Sequence, residues 1–320
     1  METAIKIEHV SKSFGKKKIL KDLTFETYTG EVFGFLGPNG AGKTTLIKMI
    51  VGLLRTEEGN ISICGQDIVK HFEKAMINVG GIVENPELYK YMTGMQNLKQ
   101  YARMRKGVTE ERILEVVELV GLSNRINEKV GKYSLGMRQR LGVAQAILHH
   151  PKVLILDEPT NGLDPAGIKQ LRDILKELAH KEKICVMVSS HLMSEMELMC
   201  DRVGIIANGE LIDVKTVEEL IQAGNGSRQS YHVQTDNSEK AMQILLTGGF
   251  LKEGETIKSL DNETFEISLK AEESREKIVR MNRLLMEHEI ALYTVTKVDT
   301  ANLEDVFIEL TKTAGGVQIA

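Results

Sequence analysis

Apolar positions along this chain follow three rhythms. Near the start they alternate. Ala4-Ile-Lys-Ile-Glu-His-Val10 and Leu23-Thr-Phe-Glu-Thr-Tyr28 put every second residue on one face, the period of a half-buried strand. Polar Ser11 to Lys18 between them reads as a turn carrying one aromatic, Phe14. Short, mostly apolar runs come next: Glu31 to Leu36, Val153 to Leu156, Ile184 to Val188 and Val203 to Ile206. Such runs fit parallel strands covered on both faces. Ile61 to Ile68 predicts a strand ending in a turn, and Asn208-Gly209 a hairpin between Val203–Ile206 and Gly209–Asp213. From residue 86 to 150 glycine thins out and helical spacing takes over. Met95, Leu98, Tyr101 and Ala102 share one face. Ile113, Leu114, Val116, Val117 and Val120 share the next, closed by Gly121 at the C-cap position. The pattern predicts an α/β core with a β-rich N-terminal part and an inserted helical subdomain at about residues 88–150.

After Gly224-Asn-Gly-Ser-Arg-Gln-Ser230, a polar linker, the rhythm restarts. Strands are predicted at Ser230–Thr235, Thr256–Leu260, Thr264–Leu269 and Leu292–Val298. Helices are predicted at Ser238–Leu246 and Glu272–Glu287, with a closing helix at Leu303–Leu310. The order βαββαβ suggests a small ferredoxin-like α+β domain. Two domains are therefore expected, residues 1–225 and 226–320. The second carries no catalytic constellation. It could assist dimerisation, regulate the first domain, or only pack.

Composition narrows the function. A net charge of −4 gives no reason to expect nucleic acid or a polybasic membrane anchor. The three cysteines, Cys64, Cys185 and Cys200, lack metal-type spacing and sit in apolar surroundings, so reduced thiols are expected. The Met1 end alternates in charge and lacks the apolar stretch of a signal peptide. No run approaches the ~18 apolar residues of a membrane span. Any membrane part of the function is expected to reside in another chain.

Candidate chemistry starts at Gly37-Pro38-Asn39-Gly40-Ala41-Gly42-Lys43-Thr44-Thr45. This fits the phosphate-loop pattern G-x-x-x-x-G-K-[ST], preceded by a buried strand and followed by a helix with Leu46, Ile47, Ile50 and Val51 on its apolar side. Glycines let the backbone approach an anion, and the helix start aims N–H groups and the positive dipole end at it. Lys43 is expected on the β and γ phosphates, and the Thr44 hydroxyl on Mg²⁺. These residues predict a P-loop NTPase core. Asp157-Glu158 closes the apolar strand at 153–156, where parallel sheets place ligand chemistry. Asp157 suits a metal and Glu158 suits orienting or deprotonating a water; a solvated turn is the plainer alternative. Ser134 caps a helix running to about Leu148, either an ordinary cap or a second anion site. Asn161-Gly162-Leu163-Asp164 is a turn before Pro165, the first residue of a helix. His191 ends another strand and is either structural or a γ-phosphate contact. Phe14 could stack on an adenine ring or cap a sheet edge.

Taken in order, these residues resemble the ATP-binding subunit of ATP-binding cassette (ABC) transporters over about residues 4–220. Gly37 to Thr45 resembles the Walker A loop, and Val153 to Glu158 Walker B with its glutamate. Asn161 to Asp164 resembles the D-loop, and His191 the switch histidine. Tyr133-Ser134-Leu135-Gly136-Met137 stands where the family has Leu-Ser-Gly-Gly-Gln, keeping Ser134 and Gly136. Phe14 stands at the place of the adenine-stacking aromatic. At Glu84 the family usually has glutamine, on a loop that touches Mg²⁺ and faces the membrane subunit. Glutamate there, with the Ser-Leu-Gly-Met signature, resembles the bacitracin and lantibiotic export and immunity branch.

The resemblance implies a cytoplasmic ATPase subunit using ATP and Mg²⁺, peripheral on the inner face of the cell membrane. It implies a separate integral membrane permease and a second cassette, a homodimer in the simplest case. Two cassettes would meet head to tail, so that Ser134 and Gly136 act on the partner's γ phosphate, with Asp164 of the D-loop also among the nucleotide-binding residues. Glu158 would align water, Asp157, Thr44 and Glu84 would surround Mg²⁺, and Lys43 and His191 would offset phosphoryl charge. The implied work is export of a peptide antibiotic or similar amphipathic substrate. An exporter or importer of another substrate, or a soluble ABC ATPase, are the alternatives.

Overall fold

The computed structural model describes residues 2–225, 228–252, 255–298, 303 and 307. They form two compact units, residues 1–217 and 218–309. The predicted helix at Leu303–Leu310 lies outside the described residues except for Leu303 and Phe307, which are helical.

The first unit opens with an antiparallel sheet of order β2-β1-β4-β5. Its strands are β1 (Thr3–Phe14), β2 (Lys17–Tyr28), β4 (Glu58–Ile63) and β5 (Gln66–Asp67). β1 and β2 are longer than alternation predicts. The polar stretch read as a turn continues both strands, and only Gly15-Lys16 turns. The reason is pairing: Lys12, nearly buried, donates to Glu57 Oε1 at 2.6 Å, and Phe14 lies opposite Lys17.

The second sheet has order β10-β9-β3-β8-β7-β6. β3 (Val32–Leu36), β7 (Val153–Asp157) and β8 (Cys185–Ser190) are buried at every position. They are joined by β6 (Val79–Ile82), β9 (Arg202–Ala207) and β10 (Glu210–Thr216). All pairings are parallel except β9 with β10. That hairpin turns at Asn208 and Gly209, both at positive φ (52° and 78°), as the Asn-Gly signal requires. Apolar residues of both sheets and of α1 (Lys43–Ile50) share one core, including Ile7, Phe33, Phe35, Ile47, Ile155 and Met187. Burial of each such side chain contributes about 1.5–3 kcal/mol.

The inserted helices are α3 (Gly94–Arg103), α4 (Glu110–Leu119) and α5 (Leu135–Ile147), after a short α2 (Phe72–Met76). Thr93, Thr109 and Ser134 cap them, each side chain accepting a backbone N–H three residues on. Gly121, at φ 64°, ends α4's turn as expected. α6 (Pro165–His180) starts on proline under an Asp164 cap, and α7 (Met193–Met199) follows β8. Cys185 and Cys200 are buried free thiols; burial pushes the Cys185 thiol up to about 12. Among the described residues no helix is long and apolar enough to cross a membrane.

After α8 (Val217–Asn225), the other unit runs β11 (Arg228–Thr235), α9 (Ser238–Thr247), β12 (Thr256–Ser259), β13 (Thr264–Lys270), α10 (Ser274–Glu287) and β14 (Leu292–Val298). Its sheet order is β12-β13-β11-β14, antiparallel throughout. Phe265, Ile267, Leu245, Met281 and Leu285 form its core.

Candidate functional site

The phosphate loop joins the carboxyl end of β3 to the start of α1. Its glycines answer three different demands. A Cβ on Gly37 would sit 2.4 Å from Ile206 O, and one on Gly42 would sit 2.5 Å from Leu20 Cδ2. Gly40, at φ 81°, meets nothing; there the backbone conformation is what selects glycine. Ala41 is buried, and its N–H closes the loop on Pro38 O at 3.1 Å.

Lys43 is buried and folds back over its own loop. Its Nζ donates to Gly37 O at 2.7 Å and to Pro38 O at 3.3 Å, and lies 3.4 Å from Glu158 Oε1. The other oxygen, Glu158 Oε2, is 2.8 Å from His191 Nδ1. Lys43, Glu158 and His191 thus form one connected group drawn from α1, the end of β7 and the end of β8. Glu158 adopts φ 48°, an uncommon left-handed backbone for a non-glycine residue costing roughly 1–2 kcal/mol. Its N–H is held by Ser189 O at 3.2 Å and Ser189 Oγ at 2.9 Å.

These groups face a cavity of about 440 Å³, within the usual range for small-molecule sites. Phe14, half exposed, stands at its wall with Lys12 Nζ 5.5 Å from the ring centroid. Asn39, Gly40, Gly42, Lys43, Thr44, Thr45, Glu158 and His191 line the rest. An exposed aromatic face in the same cavity as a helix N-terminus and a lysine suits a ligand with a flat ring and an anionic tail. Asn161, the first residue of the 161–164 turn, also lines the cavity, and two lining residues have no counterpart among the sequence candidates, Lys17 and Ile19. Lys17 and Ile19 follow the hairpin turn from Phe14, so the adjacency of Phe14 and Lys17 in sequence was the available signal.

The oxygen donors fit a hard divalent cation. Thr44 brings a half-buried hydroxyl, and the Asp157 carboxylate is buried, its Oδ1 accepting from Ser189 Oγ at 2.6 Å. Among the described residues no cluster of three or more His, Cys, Asp or Glu competes as a metal site.

Ser134, Gly136 and Asp164 lie in a second group, and none of them lines that cavity. Ser134 is exposed and caps α5 by accepting Met137 N–H at 3.2 Å. Leu135 packs on Gly162, and Gly136 lies against Leu163, so the start of α5 and the 161–164 turn are neighbours within one chain. Asp164 Oδ1 accepts Gly167 N–H at 3.1 Å. Glu84 also lies off the cavity. It has φ 66°, is exposed, and accepts from Lys48 Nζ of α1 at 2.8 Å; that hydrogen bond holds its carboxyl below the usual carboxylate range.

Known proteins agree with this geometry. The family model described as "ABC transporter" matches residues 20–161. The chain is 50% identical to the ABC transporter ATP-binding protein YhcH of Bacillus subtilis strain 168, over 97% of each chain. It is 36% identical to the bacitracin transport ATP-binding protein BcrA of Bacillus licheniformis, over 97% of this chain and 98% of that one. A solved ATP-binding subunit of an ABC transporter superposes with a TM-score of 0.62 at 30% identity, covering 70% of this chain and 93% of its own. With half its residues shared across nearly its whole length, and a phosphate loop facing an acid and a histidine, this chain belongs to the ABC transporter ATP-binding proteins and is an ATPase.

Proposed function

We propose that the chain powers export of a peptide antibiotic or similar amphipathic substrate, as one of two cassettes on a separate integral membrane permease at the inner face of the cell membrane. The observation that carries this is the end-to-end likeness to BcrA, a bacitracin transport ATP-binding protein, which extends through the second unit. The glutamate at position 84 supports the same reading.

In this reading Phe14 takes the adenine ring, and the loop from Gly37 to Thr45 takes the phosphates. Lys43 leaves Glu158 and the loop carbonyls for phosphate oxygens, which frees the Glu158 carboxylate for a water proton. His191 keeps Glu158 oriented. Thr44 and Asp157 would hold Mg²⁺, with Glu84 a further candidate ligand once free of Lys48; the metal, when bound, would neutralise charge on the phosphates. The exposed Ser134, with Gly136 and Asp164, acts on the ATP of the opposing cassette. Their placement outside their own chain's cavity supports that division of labour.

The experiment is to express the chain with a candidate polytopic membrane protein as its permease in a bacitracin-sensitive strain. The inhibitory concentration should rise for at least one peptide antibiotic, the Glu158→Gln version should give no rise, and the chain should co-purify with the membrane protein. An unchanged concentration across a peptide-antibiotic panel, with ATPase activity intact, would sink the substrate assignment.

A further inference from the structure

Ser189 belongs to none of the motifs above, yet Asp157, Glu158 and His191 all depend on its strand. It is fully buried on β8, opposite Asp157 in the parallel register of β7 and β8. Its hydroxyl is used twice. The Glu158 backbone N–H can only donate, so at 2.9 Å the Ser189 oxygen is the acceptor. The hydroxyl's single proton is left for Asp157 Oδ1 at 2.6 Å. The carbonyl of the same residue accepts the Glu158 N–H as well, at 3.2 Å. Two residues further on, His191 holds Glu158 Oε2. One end of β8 therefore fixes Glu158 at both its backbone and its carboxylate.

We infer that Ser189 is a positioning residue for ATP hydrolysis: its hydroxyl orients the Asp157 carboxylate toward the metal and clamps the left-handed Glu158 turn that aims the acid into the cavity. The inference rests on the reading of Asp157 as a metal ligand and Glu158 as the water-orienting acid. An apolar side chain here would leave a buried carboxylate oxygen without its donor and the Glu158 N–H with only its longer bond to the Ser189 carbonyl. Ser189 is wholly inaccessible, so in the native chain solvent does not share these bonds.

The test compares Ser189→Ala, Ser189→Thr and Ser189→Val in the full chain. Thr and Val share a shape, so they separate the hydroxyl from volume. Two readouts are taken. One is kcat for ATP. The other is Mn²⁺ affinity in the presence of a non-hydrolysable ATP analogue, from the free-ion electron paramagnetic resonance signal. Ala and Val should lose about 10–100-fold in each, the usual cost of removing a group behind a metal ligand, while Thr stays near wild type. Affinity for the analogue in EDTA should be equal in all four proteins. Wild-type Mn²⁺ affinity in Ser189→Ala, or equal behaviour of Thr and Val, overturns the inference. So does a loss of analogue binding in EDTA as large as that with metal, which marks a general packing defect. If Val does not fold, Ala against Thr makes the same comparison. Asp157→Asn is the control. If it leaves Mn²⁺ affinity unchanged, the metal reading of Asp157 fails; if it weakens binding and the Ser189 variants do not, Ser189 alone is misassigned.

Discussion

Each compact unit carries a largely buried lysine–glutamate pair, and these two pairs are built differently. In the second unit Lys277 of α10 meets Glu255. The Glu255 side chain is wholly buried, and its oxygens also accept Lys252 N–H at 2.8 Å and Lys270 N–H at 3.0 Å. Lys277 lies over the Phe250 ring. Burial alone would raise the Glu255 carboxyl, but Lys277 and the two backbone donors overcome it, and the carboxyl is held below its ordinary value. In the first unit Lys43 and Glu158 stand 3.4 Å apart, Lys43 also has two carbonyls, and the carboxylate faces a cavity. In the first arrangement three donors hold the carboxylate away from any cavity lining among the described residues. The second is loose, shared and open to a ligand that competes for the lysine. Burial of opposite charges says nothing about role until every remaining lone pair and proton has been assigned.

Breaking the open pair should affect chemistry and spare the fold. Glu158→Gln should lower kcat by about 10²–10⁴-fold, the usual share of a positioned base, while nucleotide affinity holds. Phosphate release and equilibrium binding check it; turnover close to wild type would remove Glu158 from the mechanism. Breaking the three-donor pair should do the reverse. Lys277→Met leaves a buried carboxylate uncompensated, so the second unit should lose about 3–5 kcal/mol of stability with kcat per folded molecule unchanged. Urea unfolding followed in that unit measures it. The pH dependence has a definite sign. The Glu255 carboxyl is depressed in the folded state, so its contribution is present above its unfolded value, near 4.5, and fades as pH falls through the lower folded value. Lys277→Met should flatten that acid limb. Lys43→Ala should weaken nucleotide binding by roughly 10–100-fold, the scale of a lost charge-assisted hydrogen bond, with unfolding little changed.

These pairs also mark where the sequence is and is not legible. Lys43, Asp157 and Glu158 are readable because each ends or begins an apolar run of a buried strand or helix. That Lys43 touches Glu158 is not, since 115 positions separate them and only the order of β3, β8 and β7 brings them together. Glu255–Lys277 carries no local signal at all. β6 escapes the apolar pattern because Gly80 and Gly81 break the run. A Cβ on Gly80 would meet Ala146 O at 2.0 Å, so helix α5 crosses too close for any side chain. Ser11 to Lys18 misleads in the opposite way: a buried, ion-paired Lys12 looks like a turn residue until Glu57 is placed beside it. Ser189 is visible only as a polar strand end, and its use depends on the register with Asp157.

A third lysine–glutamate pair tests whether burial or openness sets the outcome. Lys48 and Glu84 meet at 2.8 Å on the surface, with side chains 33% and 64% exposed. Water and salt screen such a pair, and holding two long side chains together offsets the attraction. Glu84→Gln should therefore leave the unfolding midpoint unmoved, in contrast to Lys277→Met. Its effect on the Mg²⁺ concentration needed for half-maximal ATPase should be smaller than that of Asp157→Asn, because Glu84 rests on Lys48 and outside the cavity. A titration of ATPase against Mg²⁺ for both variants decides it. A shift in Glu84→Gln as large as in Asp157→Asn would mean that Glu84 leaves Lys48 for the metal in every turnover. The exposed pair would then be the resting position of a metal ligand, and openness, more than depth, would separate working pairs from structural ones.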